Sequence, residues 1–170
     1  MEYATLNNGT KIPYVGLGVF RLNDEKAAYD TVRMALDNGY RHIDTASMYQ
    51  NEEAVGRAIR DSGIPREEIF LTTKLWNDDI RANRAERAFE ASLSRLGLDY
   101  VDLYLVHWPV RDLYVSVWKD MEKIYASGKA KAIGVSNYLV HHLEELLAEA
   151  SVVPAVDQIE LHPYLVQQEL

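Results

Sequence analysis

The 170-residue chain contains no cysteine, which excludes a disulfide framework, a thiolate metal site and a cysteine nucleophile together. It has no excess of basic charge either: 18 Lys and Arg stand against 26 Asp and Glu, a net charge of -8. Because the basic residues are not clustered, this balance disfavours a nucleic-acid or anionic-membrane surface and points to a small-molecule partner. No apolar run approaches the ~20 residues that cross a bilayer, and MEYATLNNGT has neither the basic segment nor the apolar core of a signal peptide. A soluble, cytoplasmic protein is expected, in which Asn8-Gly9-Thr10 is a tight hairpin turn and not a glycosylation acceptor. Ser/Gly-rich linkers and low-complexity segments are absent as well, so residues 1–170 are expected to form a single domain.

What is present is an alternation. After a hairpin expected around Asn8-Gly9, short apolar runs at 15–18, 41–44, 69–74, 101–107, 130–136 and 155–158 read as strands. Between them, apolar residues recur at three- and four-residue spacing, as in Ala28, Val32, Ala35 and Leu36, or Val117, Met121 and Ile124, the signature of helices with one buried stripe. Six strands and five intervening helices result. Asn51 before Glu52 and Glu53 reads as a helix N-cap, Pro65 opens a short turn, and Gly63, Gly97 and Gly128 each follow a helix end. Alternation with right-handed crossovers builds either an open doubly wound sheet or a (β/α)8 barrel. A barrel takes eight strands and about 250 residues. Six strands, with a final helix-like stretch at 165–170 that has no C-cap, therefore read as about six of the eight βα units of a longer barrel.

The strands end in reactive side chains. RHIDTASMY closes on Asp44 and Tyr49, IFLTTK on Lys74, VDLYLVHW on His107, and KAIGVSN on Ser136 and Asn137. Carboxyl ends of parallel strands share one face, so these groups converge. A phenol (~10) and an ammonium (~10.4) exchange protons poorly at neutral pH when unaided. A lysine cation beside Tyr49 is expected to lower the phenol's pKa, with Asp44 keeping Lys74 charged, so that Tyr49 becomes a general acid. His107 is placed to polarise a carbonyl oxygen. These parts suit carbonyl reduction, and since no side chain supplies hydride, a nicotinamide cofactor is implied. Ser136, Asn137 and Gln158 offer groups that grip a carboxamide. Phe20, Trp76 and Trp108, each just beyond a strand, are candidates for an apolar pocket wall.

The stretches GYRHIDTASMYQNEEAVGRAI, FLTTKLW, LGLDYVDLYLVHWP, KAIGVSNY and DQIELHPY resemble, in order and approximate spacing, the aldo-keto reductase family over essentially the whole chain. The resemblance implies a (β/α)8 barrel with an N-terminal hairpin at its bottom, and NADPH as cofactor, with NADH left open. It implies a tetrad of Asp44, Tyr49, Lys74 and His107, carboxamide contacts from Ser136, Asn137 and Gln158, and a carbonyl-substrate pocket touching Phe20, Trp76 and Trp108. The short connection from Pro109 to the helix near Val115 is similar to bacterial members. Strands seven and eight of the family pattern, with its phosphate-holding segment, have no counterpart in the sequence. That departure admits a second reading, a non-catalytic binding or regulatory protein or an inactive fragment. Gly16-Leu17-Gly18 carries little weight as a dinucleotide fingerprint because Arg21 occupies the third glycine's place. His42 is expected to be a packed strand residue, and His141, His142 and His162 to be solvated or hydrogen-bonded; no metal site is expected.

Overall fold

The computed structural model describes residues 2–170. It opens with an antiparallel hairpin, β1 (Tyr3–Thr5) and β2 (Lys11–Pro13), whose turn passes through Gly9 at φ 87, a conformation open to glycine at little cost. Leu6 and Ile12 of the hairpin pack against a small apolar cluster of Phe70, Leu103, Leu105 and Ala132. The Asn7 and Asn8 amides donate to Pro154 O (3.1 Å) and Lys131 O (2.9 Å), tying the turn to distant parts of the chain. The hairpin thus seals the amino-terminal end of the sheet, as expected of a barrel plug.

The chain then alternates: β3 (Leu17–Gly18), α1 (Glu25–Asp37), β4 (His42–Asp44), α2 (Glu52–Asp61), β5 (Phe70–Leu75), α3 (Asn77–Arg81), α4 (Ala85–Leu96), β6 (Leu103–Val106), α5 (Ser116–Ala126), β7 (Ile133–Ser136), α6 (Val140–Glu149) and β8 (Asp157–Gln158). The six strands β3 to β8 form one parallel sheet in sequence order. The crossovers between them are the five expected helices, with α3 an additional short turn after β5. The sheet curls far enough for Gln158 on its last strand to reach Asp44 on its second, the path of a (β/α)8 barrel.

Two apolar layers hold the arc together. The outer layer, between sheet and helices, is the larger, with Trp118, Tyr104, Tyr138 and Phe89 among its fully covered side chains. Each such burial contributes about 1.5–3 kcal/mol. Where α2 crosses α4, a Cβ at Gly56 would lie 1.9 Å from Leu96 O, so only glycine allows this approach.

Several expected boundaries move. The strands are shorter than their apolar runs, because residues such as Val15 (57% exposed) and Val101 (an isolated bridge to Ala130) lie outside the continuous ladder. The stretch 165–170 is no helix: a bridge between His162 and Leu165 turns the chain, and Tyr164 is 97% exposed. With its apolar residues 40–54% exposed, a single turn does not overcome the cost of helix nucleation. Pro65 precedes a 3-10 turn (Arg66–Glu68) as its cap instead of opening it. Asn51 occupies the position before α2 but makes no side-chain capping bond; its amide is used elsewhere, as described below.

Candidate active site

The carboxyl ends of β4 to β8 gather all four tetrad candidates and the three amide or hydroxyl candidates. Lys74, on β5, is 1% exposed; its Nζ donates to Asp44 Oδ1 and, at 2.9 Å, to Thr45 O. Asp44 Oδ2 accepts from Gln158 Nε2 at 2.8 Å. The carboxylate is therefore held from two sides by residues 30 and 114 positions away. Burial pulls the Lys74 ammonium below its usual range, and the Asp44 carboxylate opposes that pull.

Tyr49 ends a 3-10 turn, Ser47–Tyr49, that follows β4. Ser47 Oγ donates to Lys74 O at 3.0 Å, which anchors this turn to β5. The Tyr49 ring lies 5.0 Å from Phe20 and 5.6 Å, edge-on, from His107 between centroids, with Lys74 Nζ 5.2 Å from its own centroid. Its hydroxyl makes no hydrogen bond among the described residues. The expectation that Lys74 lowers this phenol's pKa is overturned: burial first, then the Asp44 charge, push it up to about 12. The Lys74 ammonium is itself paired with Asp44.

His107 follows β6 and is 7% exposed, with Nδ1 buried and unpartnered. Burial, reinforced by Lys74, lowers its pKa to about 4, so the ring is neutral at physiological pH. The sign of the linkage is definite. A histidine with a folded-state pKa of about 4 and an ordinary value of 6.5 is protonated more in the unfolded chain across that interval. Stability should rise as pH increases from about 4 to 6.5 and be lost on acidification. Urea unfolding at stepped pH is expected to show this slope in the wild type and to show less of it in His107→Gln; an equal slope in both would remove His107 as its source.

The remaining candidates close the ring. Ser136 Oγ donates to Gln158 O (2.8 Å), and Asn137 Nδ2 donates to His107 O (3.0 Å) with Asn137 in the left-handed region at φ 63. A cleft of about 430 Å3 opens over this layer, lined by Tyr49, His107, Ser136, Asn137 and Gln158 with Phe20 and Trp108 at its side. Trp76 is set back from the cleft and packs edge-on against His107 at 5.2 Å. Met48 also lines the cleft. Sequence reasoning passed over it, although its place immediately before Tyr49 is the signal that finds it.

Three of the other four histidines have local hydrogen-bond partners. His42 Nε2 meets Thr72 Oγ1 at 3.0 Å and its ring packs on Phe70, and His162 Nε2 pairs with Glu160 at 2.8 Å. His142 Nδ1 accepts the Leu139 N–H at 3.1 Å at the start of α6.

Parallel strands that curl as a (β/α) barrel, with the polar groups gathered on their carboxyl face, define the architecture of a (β/α)8 barrel protein. The chain belongs to the aldo/keto reductase family, whose sequence profile matches residues 14–170. Glyoxal reductase from Bacillus subtilis is 53% identical over 165 residues, covering 97% of this chain and 60% of the relative. A crystal structure of an aldo/keto reductase from Brucella melitensis superposes with a TM-score of 0.95 at 49% identity, over 99% of this chain and 66% of that one. A Bombyx mori aldo-keto reductase crystallised in complex with NADP gives 0.91 at 37% identity, over 98% and 60%. The chain thus spans about 60% of the length of the curated relatives it matches.

Proposed function

We propose that this chain carries the reaction face of an NADPH-dependent reductase of small aldehydes and ketones. The observation that carries the reading is the Asp44–Lys74 pair buried beneath Tyr49 and His107 at the floor of one cleft. The nicotinamide end of the cofactor fits the residues present. The amide nitrogens of Asn137 and Gln158 are spent within the chain, leaving both amide oxygens without partners among the described residues, and both residues line the cleft. Together they would hold the N–H groups of a nicotinamide carboxamide. When bound, reduced nicotinamide supplies the hydride that no side chain can.

The chain's own residues do the rest. His107, neutral at its pKa of about 4, acts as a hydrogen-bonding group that polarises the carbonyl oxygen without adding charge. Tyr49, at about 12, keeps its proton at Oη through neutral pH. It yields that proton to the alkoxide developing on the substrate, a stronger base than tyrosinate. Lys74, steadied by Asp44, is the nearby cation available to the tyrosinate that remains. Phe20, Met48 and Trp108 give the cleft an apolar side suited to small uncharged carbonyl compounds. The similarity to a protein named glyoxal reductase supports that substrate class.

Mixing the purified protein with NADPH and glyoxal should give aldehyde-dependent loss of NADPH absorbance. A nicotinamide fluorescence change without aldehyde-dependent oxidation would show binding without reduction and overturn the catalytic reading.

A further inference from the structure

Asn51 is 3% exposed, lies two residues past Tyr49 and belongs to none of the groups assigned above. Its Oδ1 accepts from Thr45 Oγ1 at 2.6 Å, and its Nδ2 donates to Val19 O at 3.0 Å and to Leu22 O at 3.2 Å. Three segments meet on one side chain: the end of β4 at Thr45, the turn that carries Tyr49, and the loop after β3 in which Phe20 sits between Val19 and Leu22. That loop turns through Arg21 in the left-handed region at φ 65, which a non-glycine residue adopts only with support.

We propose that Asn51 is a positioning residue that clamps the 19–22 loop onto the Tyr49 turn and thereby sets the Phe20 ring against the phenol. The chemistry selects a short primary amide. One side chain must accept from a hydroxyl and donate twice to carbonyls; an ionised Asp accepts only, and Ser has a single proton to give. Without the donor, Val19 O keeps only the Leu22 N–H at 3.2 Å and Leu22 O loses its amide partner in a covered site, a penalty that moving the loop outward into water relieves. The far side of the Tyr49 turn is already pinned by Ser47 Oγ on Lys74 O. Asn51 therefore governs the Phe20 side, where the Val19 N–H on Asp44 O (3.0 Å) is the other tie. The inference deepens the reading of Tyr49 as proton donor, but its geometric content concerns two rings and stands apart from turnover.

The test is NMR on protein labelled in Phe and Tyr rings. In the wild type, Phe20 and Tyr49 (5.0 Å between centroids) should show an inter-ring NOE, as should the core pair Phe89 and Tyr104 (4.7 Å). In Asn51→Asp the first NOE is expected to vanish while the second persists, and the Tyr49 titration should fall from about 12 toward the ordinary 10 as its cover leaves. Phe20→Ala should produce the same fall, and combining the two substitutions should add nothing further. If Asn51→Asp loses the Phe89–Tyr104 contact and hence the fold, Asn51→Ser serves with the same expected readings. A folded variant that keeps both the Phe20–Tyr49 contact and the Tyr49 titration, or substitutions whose effects add, would overturn the assignment. Failure of the function proposal would show separately, in turnover of Tyr49→Phe with these rings still in place.

Discussion

Tyr49→Phe is expected to lower kcat for aldehyde reduction by about 10²–10⁴-fold, the usual contribution of a general acid, while NADPH affinity stays within about twofold. The separation follows from the structure. The ring contacts with Phe20 and His107 survive the substitution, so the cleft keeps its shape and only the proton is removed. Because the hydroxyl has no hydrogen-bond partner among the described residues, the melting temperature should not drop. Steady-state kinetics on a turnover-competent form, alongside fluorescence titration with NADPH, measures both quantities. Retention of more than about a tenth of the wild-type kcat would take the donor role away from Tyr49.

Lys74→Met should be the most damaging single change to stability at this face. It leaves the Asp44 carboxylate, 13% exposed, with Gln158 as its remaining side-chain donor and no cation. Removing one partner of a buried pair costs about 3–5 kcal/mol, which for a chain of this size is a melting-temperature drop of roughly 6–20 °C. Adding Asp44→Asn removes the stranded charge yet keeps an acceptor for Gln158, and most of the lost stability should return. Calorimetry of the single and double variants tests both parts. An unchanged melting temperature in the single variant would show that the ammonium contributes nothing net to the pair.

These two positions were legible from the sequence for a simple reason. Each sits where an apolar strand pattern stops at an ionisable residue, and parallel strands bring such ends to one face. The four tetrad candidates and Ser136, Asn137 and Gln158 came from that rule together with the family resemblance, and the structure gathers all seven. Trp76 shows its limit: lying just past β5 placed it near the site, but not whether it faces the cleft or backs His107. Asn51 shows a different limit. Its position before two glutamates satisfies every local criterion of a helix cap, yet the tertiary structure offers its amide Thr45, Val19 and Leu22 instead.

The sequence by itself determined the alternation of strands and helices, the hairpin at Asn8-Gly9, and which residue types stand at the strand ends. All of these depend on side-chain periodicity and turn chemistry within a few residues. Only the tertiary structure decided that Gln158 meets Asp44 across 114 residues and that the Tyr49 phenol is raised to about 12 instead of lowered. Desolvation and through-space charge act over a few ångströms irrespective of separation along the chain. They come into being only when the sheet curls and brings its second and last strands together.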